Sequence, residues 1–273
     1  MSILITGGSG FLGKSLLREC QSQGKEAVAI SHSEIRDQEI KIKYPKVKSY
    51  CMDISTNIDI LDKVVSQHSI EYIIHCAAMK HIGICEKNPT KAIEVNIHGS
   101  KNVIDVAKKN KVNNVIAIST DKAISPSCVY GSTKFLMEKI MLENGFSIIQ
   151  GVNFFFSHGS VLELWDQCVT NKSSIKVNTN NTVRYFVDIQ DVSKKILDNL
   201  ETKSSYINLD RCYRITLHDL AKAFCEYHNY YEMEDYVSIS AEKIVEEIPE
   251  GIKDIYEPNM EELKLIIDNH YKD

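Results

Sequence analysis

The sequence predicts an α/β protein, a doubly wound parallel sheet with a small C-terminal substrate lobe, and three observations carry that prediction. Short apolar runs rich in β-branched residues alternate with longer helical patterns through the first 156 residues. These runs are apolar on both faces, as suits strands covered by helices above and below. The first run ends in a glycine turn, Gly7-Gly8-Ser9-Gly10-Phe11-Leu12-Gly13, which opens straight into a helical stretch.

In order, strands are predicted over 3–6, 27–31, 47–52, 72–77, 115–119 and 147–155, with helices over 11–23, 58–67, 89–110 and 130–144 between them. Two successive βαβαβ units make the Rossmann-type dinucleotide-binding architecture. Right-handed crossovers bring the C-terminal ends of its strands to one edge, where ligands bind. Beyond 156 the segments shorten, turn residues cluster at Asn178-Thr179-Asn180-Asn181, and helices over 191–200 and 217–228 separate short strands. Residues 232–273 are rich in charge but keep apolar positions at Ile244, Ile248, Leu263 and Ile266, the pattern of a docked tail. The expected division is a dinucleotide-binding domain over 1–156, to which 187–210 returns, and a substrate-binding lobe from 157–186 and 211–273.

At 273 residues, 43% hydrophobic and 25% charged, the chain has an ordinary globular composition and can bury a sizeable core. Thirty-two basic against 37 acidic residues leave a net charge of −5, which gives no reason to expect nucleic acid or an anionic membrane as partner. A bound anion therefore needs a local device. The eight cysteines have neither CxxC pairs nor zinc-ligand spacing, and read as reduced thiols of a cytoplasmic protein without a metal site. The opening Met1-Ser2-Ile3-Leu4-Ile5-Thr6 leaves no room for a signal peptide, and no run approaches the roughly 20 apolar residues of a membrane span.

The glycine turn is such a device. Free backbone N–H groups and the helix dipole at the start of a helix point at an anion. Gly7 serves the turn, Gly10 the approach of a pyrophosphate and Gly13 helix–sheet packing, with Phe11 and Leu12 at the helix start. A glycine-rich loop with no ligand is the alternative, and the flanking strand and helix weigh against it. The second strand ends Ala29-Ile30-Ser31-His32-Ser33, with Arg36 close by and no carboxylate at its tip. Hydroxyls and a cation suit a 2′-phosphate, which favours NADP; Glu34 keeps NAD open. Asp53, followed by Ile54, stands where a carboxylate contacts adenine or, alternatively, caps a helix. His75-Cys76-Ala77-Ala78 closes the fourth strand with small residues that let a cofactor approach, His75 itself reading as a core histidine.

The fifth strand delivers Thr120-Asp121-Lys122, and Tyr130 and Lys134, four apart, share a face of the following helix. An ammonium beside a phenol lowers its pKa and makes it a general base. YxxxK also occurs at Tyr44 and Lys48, in a Pro-containing segment with no site, so the second copy draws its weight from its place after the fifth strand.

TGGSGFLG, HCAAMKH, ISTDKA and YGSTK, in this order and spacing, resemble an extended short-chain dehydrogenase/reductase. Ser119-Thr120-Asp121-Lys122-Ala123 with Tyr130-Gly131-Ser132-Thr133-Lys134, and the preceding Ala78-Met79-Lys80-His81, resemble more narrowly the inverting UDP-N-acetylglucosamine 4,6-dehydratases of the polysaccharide-biosynthesis group. The similarity covers residues 3–160 well and continues more thinly to about 257. It implies that Tyr130 takes the O4 proton while C4 hydride leaves, that Lys122 removes the C5 proton, and that Asp121 protonates the departing C6 hydroxyl. It implies further that Thr120 bonds O4, that Lys134 holds the nicotinamide ribose, that Asn96 positions the catalytic lysine and that Lys80 lies at the cofactor and substrate. Homo-oligomers are implied too. An ordinary loop ion pair is the alternative for Asp121 and Lys122, and a helix-surface amide for Asn96.

The resemblance implies substrate contacts from Asn153, His158, Arg184, Lys253 and Glu257. Relatives carry arginines where this chain has Gln150 and His158, which bears on the grip on the nucleotide sugar. Arg184 has the geometry to meet a pyrophosphate bidentately. Three functions follow: a UDP-N-acetylglucosamine 4,6-dehydratase that inverts C5; a nucleotide-sugar 4-epimerase or 4-keto reductase; and a non-catalytic NADP-binding regulatory protein.

Overall fold

The strand β1 (Ser2–Thr6) is buried along its whole length, as are the four residues of β4 (Tyr72–His75), which is why neither shows polar alternation. The computed structural model describes residues 1–157, 159–178, 182–236 and 248–272. Around these strands stand α1 (Phe11–Ser22), β2 (Glu26–Ser31), α2 (Glu34–Lys43), β3 (Lys48–Cys51) and α3 (Ile58–Gln67). After β4 come α4 (Ile82–Lys87), α5 (Pro89–Ile93), a π turn (Glu94–His98) and α6 (Gly99–Lys109). Then follow β5 (Asn114–Thr120), a 3₁₀ turn (Asp121–Ala123), α7 (Val129–Glu143) and β6 (Ser147–Gly151).

These strands form a parallel sheet in the order β10-β6-β5-β4-β1-β2-β3, its far edge supplied by β10 (Tyr206–Ile207). The order reverses between β1 and β4, the crevice where doubly wound sheets bind ligands. Gly7 lies there at φ 70°, and a Cβ on it would stand 2.8 Å from the Ala77 nitrogen. Left-handed backbone and close approach together demand glycine. Helices cover both faces: Leu61, Val64 and Val65 of α3 are fully buried, each contributing about 1.5–3 kcal/mol of apolar burial. At the outer end, the register sets Cys51 opposite Ser31.

The chain divides into two compact units, Met1–Gly151 with Ile189–Leu209, and Val152–Asp188 with Asp210–Asp273. The first holds the seven-stranded sheet and α9 (Ile189–Asp198), whose Ser193 hydroxyl donates to Ser15 on α1 at 2.8 Å. The second contains β7 (Asn153–Phe154), α8 (Val161–Asn171), β8 (Ile175–Asn178), β9 (Val183–Val187), β11 (Arg211–Thr216), α10 (Leu217–His228), β12 (Met233–Tyr236), β13 (Asp254–Tyr256) and α11 (Met260–Lys272). Its four-stranded sheet runs β13-β11-β9-β7, and β12 pairs with β8. Trp165, Phe224, Leu220, Leu263 and Ile267 make its core, so the C-terminal stretch docks through α11.

Three details depart from the sequence-based expectations. The single strand expected over 147–155 is two, β6 in the first unit's sheet and β7 in the second's, and the first unit accordingly ends at Gly151 rather than at 156. A continuous apolar run carries no mark of where it changes sheets. The helix expected over 89–110 is interrupted by the π turn, and α4, α8 and the helical form of the tail, α11, were not anticipated. At six residues α4 is too short to display a helical period.

Candidate functional site

At the C-terminal end of β5, the Thr120 hydroxyl accepts from the Lys122 backbone N–H at 3.4 Å, capping the 3₁₀ turn, and donates to Asp121 Oδ1 at 2.8 Å. The Lys122 ammonium reaches both oxygens of Asp121, 3.0 Å from each. The side chains are 1% and 14% exposed, so this pair is nearly out of water, unlike an ordinary loop ion pair. The turn lies directly on α7: a Cβ on Gly131 would collide with the Lys122 carbonyl oxygen. Only glycine at that position lets the turn and the helix approach so closely.

Helix α7 starts with Cys128 as N-cap, its sulfur accepting from the Gly131 N–H at 3.3 Å, while Glu86 of α4 accepts from the Val129 N–H at 2.6 Å. The Tyr130 phenol lies near the Thr120 hydroxyl. Burial pushes this phenol well up, Thr120 pulls it down, and Asp121, Cys85 and Cys128 add to the rise. Burial thus outweighs the lowering expected from Lys134. One turn on, Lys134 is 3% exposed, and burial pulls its ammonium down to about 8 against the opposing pull of Glu138 and Cys76.

Asn96, central in the π turn, is fully buried rather than on a helix surface. Its amide donates to the Met79 carbonyl and the Thr133 hydroxyl, each at 3.0 Å, and accepts from the Met79 N–H at 2.7 Å. Its side chain therefore holds the segment before Lys80 and the α7 residue next to Lys134, not the lysine itself. Thr133 passes the restraint on, donating to the Tyr130 carbonyl at 2.8 Å. His75 bonds Thr6 through Nδ1 at 2.7 Å and Ser100 through Nε2 at 2.8 Å, and the Ser100 hydroxyl donates to the Asn96 carbonyl. Ser100, already donating, accepts from Nε2–H, which fixes the tautomer. Burial drives His75 down to about 3, so it is a neutral core histidine.

The residues expected at a dinucleotide lie along the same sheet edge. Gly10 is the N-cap of α1 without a side-chain cap, and Phe11, Leu12 and Gly13 form its first turn. Thr6 accepts from the Ala77 N–H at 3.3 Å, and Ala78 follows half-buried. Among the described residues, the buried Ser31 and Ser119 hydroxyls at the ends of β2 and β5 have no hydrogen-bond partner. His32 and Arg36 are exposed beside Ser31. An uncapped helix start and an unpartnered hydroxyl at the ribose position fit a dinucleotide. Asp53 accepts from the Ser55 N–H at 2.8 Å and hydroxyl at 2.6 Å and faces Lys91 at 3.5 Å, while Ile54 packs in the core.

In the second unit, Asn153 donates to the Tyr185 carbonyl at 2.8 Å, and Arg184 donates to the Val183 carbonyl at 3.1 Å. Glu257 is paired with Arg214 at 2.6 Å, and Lys253 is exposed. His158 lies outside the described residues. Gln150 belongs to the first unit, where its amide donates to the buried Glu138 at 2.9 Å. Glu138, Gly131 and Ser119 escaped sequence reasoning. Glu138 had a readable signal, one further helical turn along the face that Tyr130 and Lys134 share.

An inverting UDP-N-acetylglucosamine 4,6-dehydratase of Campylobacter jejuni is 32% identical over 215 residues, 73% of this chain and 63% of the relative. A UDP-glucose 4-epimerase of Rickettsia canadensis is 30% identical over 212 residues, 72% of this chain and 61% of the relative. The chain thus spans less than two thirds of the length of either. The structure of Thermus thermophilus UDP-glucose 4-epimerase in complex with NAD shares the fold, with a TM-score of 0.81 at 16% identity over 99% of both chains. Residues 3–256 match the family described as polysaccharide biosynthesis protein, and the chain belongs to that family, on the extended short-chain dehydrogenase/reductase fold of nucleotide-sugar epimerases and dehydratases.

Proposed function

We propose that the chain is a cytoplasmic, NADP-dependent nucleotide-sugar 4,6-dehydratase that inverts C5, converting UDP-N-acetylglucosamine to a UDP-4-keto-6-deoxy-hexose. The observation that carries this reading is the buried, two-point contact of Lys122 with Asp121 beside Thr120 and Tyr130. An elimination needs an acid and a base side by side; a simple reduction needs neither.

When bound, the nicotinamide supplies the hydride acceptor and later the donor. Gly7, Gly10 and the start of α1 hold its pyrophosphate, and Ser31, His32 and Arg36 take the 2′-phosphate. Tyr130 takes the O4 proton, the Lys134 ammonium favours the phenolate, and Thr120 bonds O4. Transfer of one proton from Lys122 to Asp121, across their 3.0 Å contact, makes an amine and a carboxylic acid. The amine then removes the C5 proton acidified by the C4 ketone, and the acid protonates the C6 hydroxyl as it leaves as water. Both transfers restore the ion pair. Return of a proton to C5 from the opposite face inverts that centre.

For the sugar nucleotide, Lys80, Asn153, His158, Arg184, Lys253 and Glu257 are the proposed contacts. The Arg184 guanidinium suits a pyrophosphate. The 30% identity to a UDP-glucose 4-epimerase favours epimerisation as the second reading. Incubation with UDP-N-acetylglucosamine in deuterated water, followed by mass spectrometry, separates them. Loss of one water with deuterium gained at C5 is expected. An isomer without water loss supports an epimerase, and no product from a panel of nucleotide sugars supports a non-catalytic NADP-binding protein.

A further inference from the structure

One buried charge lies next to the proposed machinery and outside it. Glu138 is 1% exposed and stands one helical turn beyond Lys134 on α7, on the same face. Among the described residues, both of its hydrogen-bond donors are neutral. The Gln150 amide on β6 donates to one carboxylate oxygen at 2.9 Å, and the Tyr206 hydroxyl on β10 donates to the other at 3.0 Å. A buried carboxylate held only by neutral donors keeps its field, and the nearby buried cation that feels it is Lys134.

We propose that Glu138 is a positioning residue acting through Lys134: it is the buried counter-charge that keeps Lys134 protonated beside Tyr130, and Gln150 sets its strength by binding it without neutralising it. This rests on the proposed roles of Tyr130 and Lys134. An arginine at position 150 would pair with Glu138 and cancel the charge that Lys134 feels.

The groups that surround Lys134 leave the task to Glu138. From β4, burial drives His75 down to about 3 and the Cys76 thiol up to about 12, so neither is charged near neutrality. Burial and Glu138 hold the Tyr206 phenol up at about 12, and burial pushes the Tyr130 phenol up as well. Glu138 is the one carboxyl group among these side chains. Removing it leaves burial unopposed, so Lys134 loses its proton at lower pH.

The test is a pH titration of the Lys134 ammonium by NMR in the lysine-labelled 273-residue chain without substrate, with the signal assigned by its loss in Lys134→Met. Glu138→Gln is expected to lower the Lys134 midpoint by about one pH unit or more, as loss of a close opposite charge does. Glu138→Asp, which keeps the charge, is expected to restore most of that shift. Gln150→Arg is expected to lower the midpoint in the same direction while Glu138 stays in place. A folded Glu138→Gln protein with an unmoved midpoint overturns the proposal. Where Glu138→Gln does not fold, an unmoved midpoint in Gln150→Arg overturns it instead. The titration is read without turnover, so a chain that makes no dehydrated product leaves this result standing, and an unmoved midpoint leaves the dehydratase assignment standing.

Discussion

The two units treat polar residues in opposite ways. In the first, Asp121, Lys134, Glu138, His75, Asn96 and Thr133 are buried and joined by hydrogen bonds or by proximity of charge. In the second, the proposed substrate contact Glu257 sits in an exposed pair with Arg214, the side chains 67% and 41% exposed, and Asn153 and Arg184 are only part-buried. A buried polar group must keep all its partners, because each one lost leaves a desolvated atom behind. An exposed pair can be exchanged at little cost, since water replaces whatever is removed. The contrast teaches that the proposed proton chemistry is anchored where change is costly, and the proposed sugar contact Glu257 where change is cheap.

The largest test of that contrast is Lys122→Ala, expected to lower dehydration by about 10²–10⁴-fold, the range of a lost general base. Dinucleotide binding, followed by fluorescence titration, is expected to be unchanged; full turnover would remove Lys122 from the mechanism. Next comes acid stability. His75 protonates near 6.5 when unfolded and at about 3 when folded, so the unfolded chain takes up its proton first. The contribution is complete above about 6.5 and is lost as pH falls toward 3, at about 1.4 kcal/mol per pH unit. Denaturant midpoints of wild type and His75→Gln between pH 7 and 4 are expected to converge as the pH falls.

Gly131→Ala is expected to cost about 1–3 kcal/mol by overpacking and to reduce turnover by displacing the Lys122 turn. Unchanged calorimetric stability would show that turn and helix separate freely. The smallest effect belongs to the second unit: Arg214→Ala is expected to cost less than about 1 kcal/mol, as exposed pairs do. A larger loss in the same calorimetric experiment would break the contrast between the units.

Much of the first unit was legible because its signals are local. A glycine turn between strand and helix, a Tyr-Lys pair four apart and the adjacent Asp121-Lys122 all announce themselves within a few residues. The partners that complete them are distant. Asn96 reaches Met79 and Thr133, 17 and 37 residues away, from inside a π turn that no apolar period reveals. Glu138 meets Gln150 and Tyr206 from two other elements, 12 and 68 residues away, and neither partner is marked in the local sequence. The split of the 147–155 run between two sheets was hidden for a similar reason: burial on both sides looks the same in either sheet.

The pairing of β3 with β2 has a practical consequence. Cys51, exposed and opposite Ser31, puts a naturally placed sulfur next to the proposed 2′-phosphate position, while Cys20, Cys85, Cys128, Cys212 and Cys225 are buried. A thiol-reactive dye attached there turns the unmodified sequence into its own optical reporter of occupancy. Alkylation of Cys51, timed by mass spectrometry, is expected to slow more with NADP than with NAD, and equal protection by the two would argue against a 2′-phosphate site at that edge.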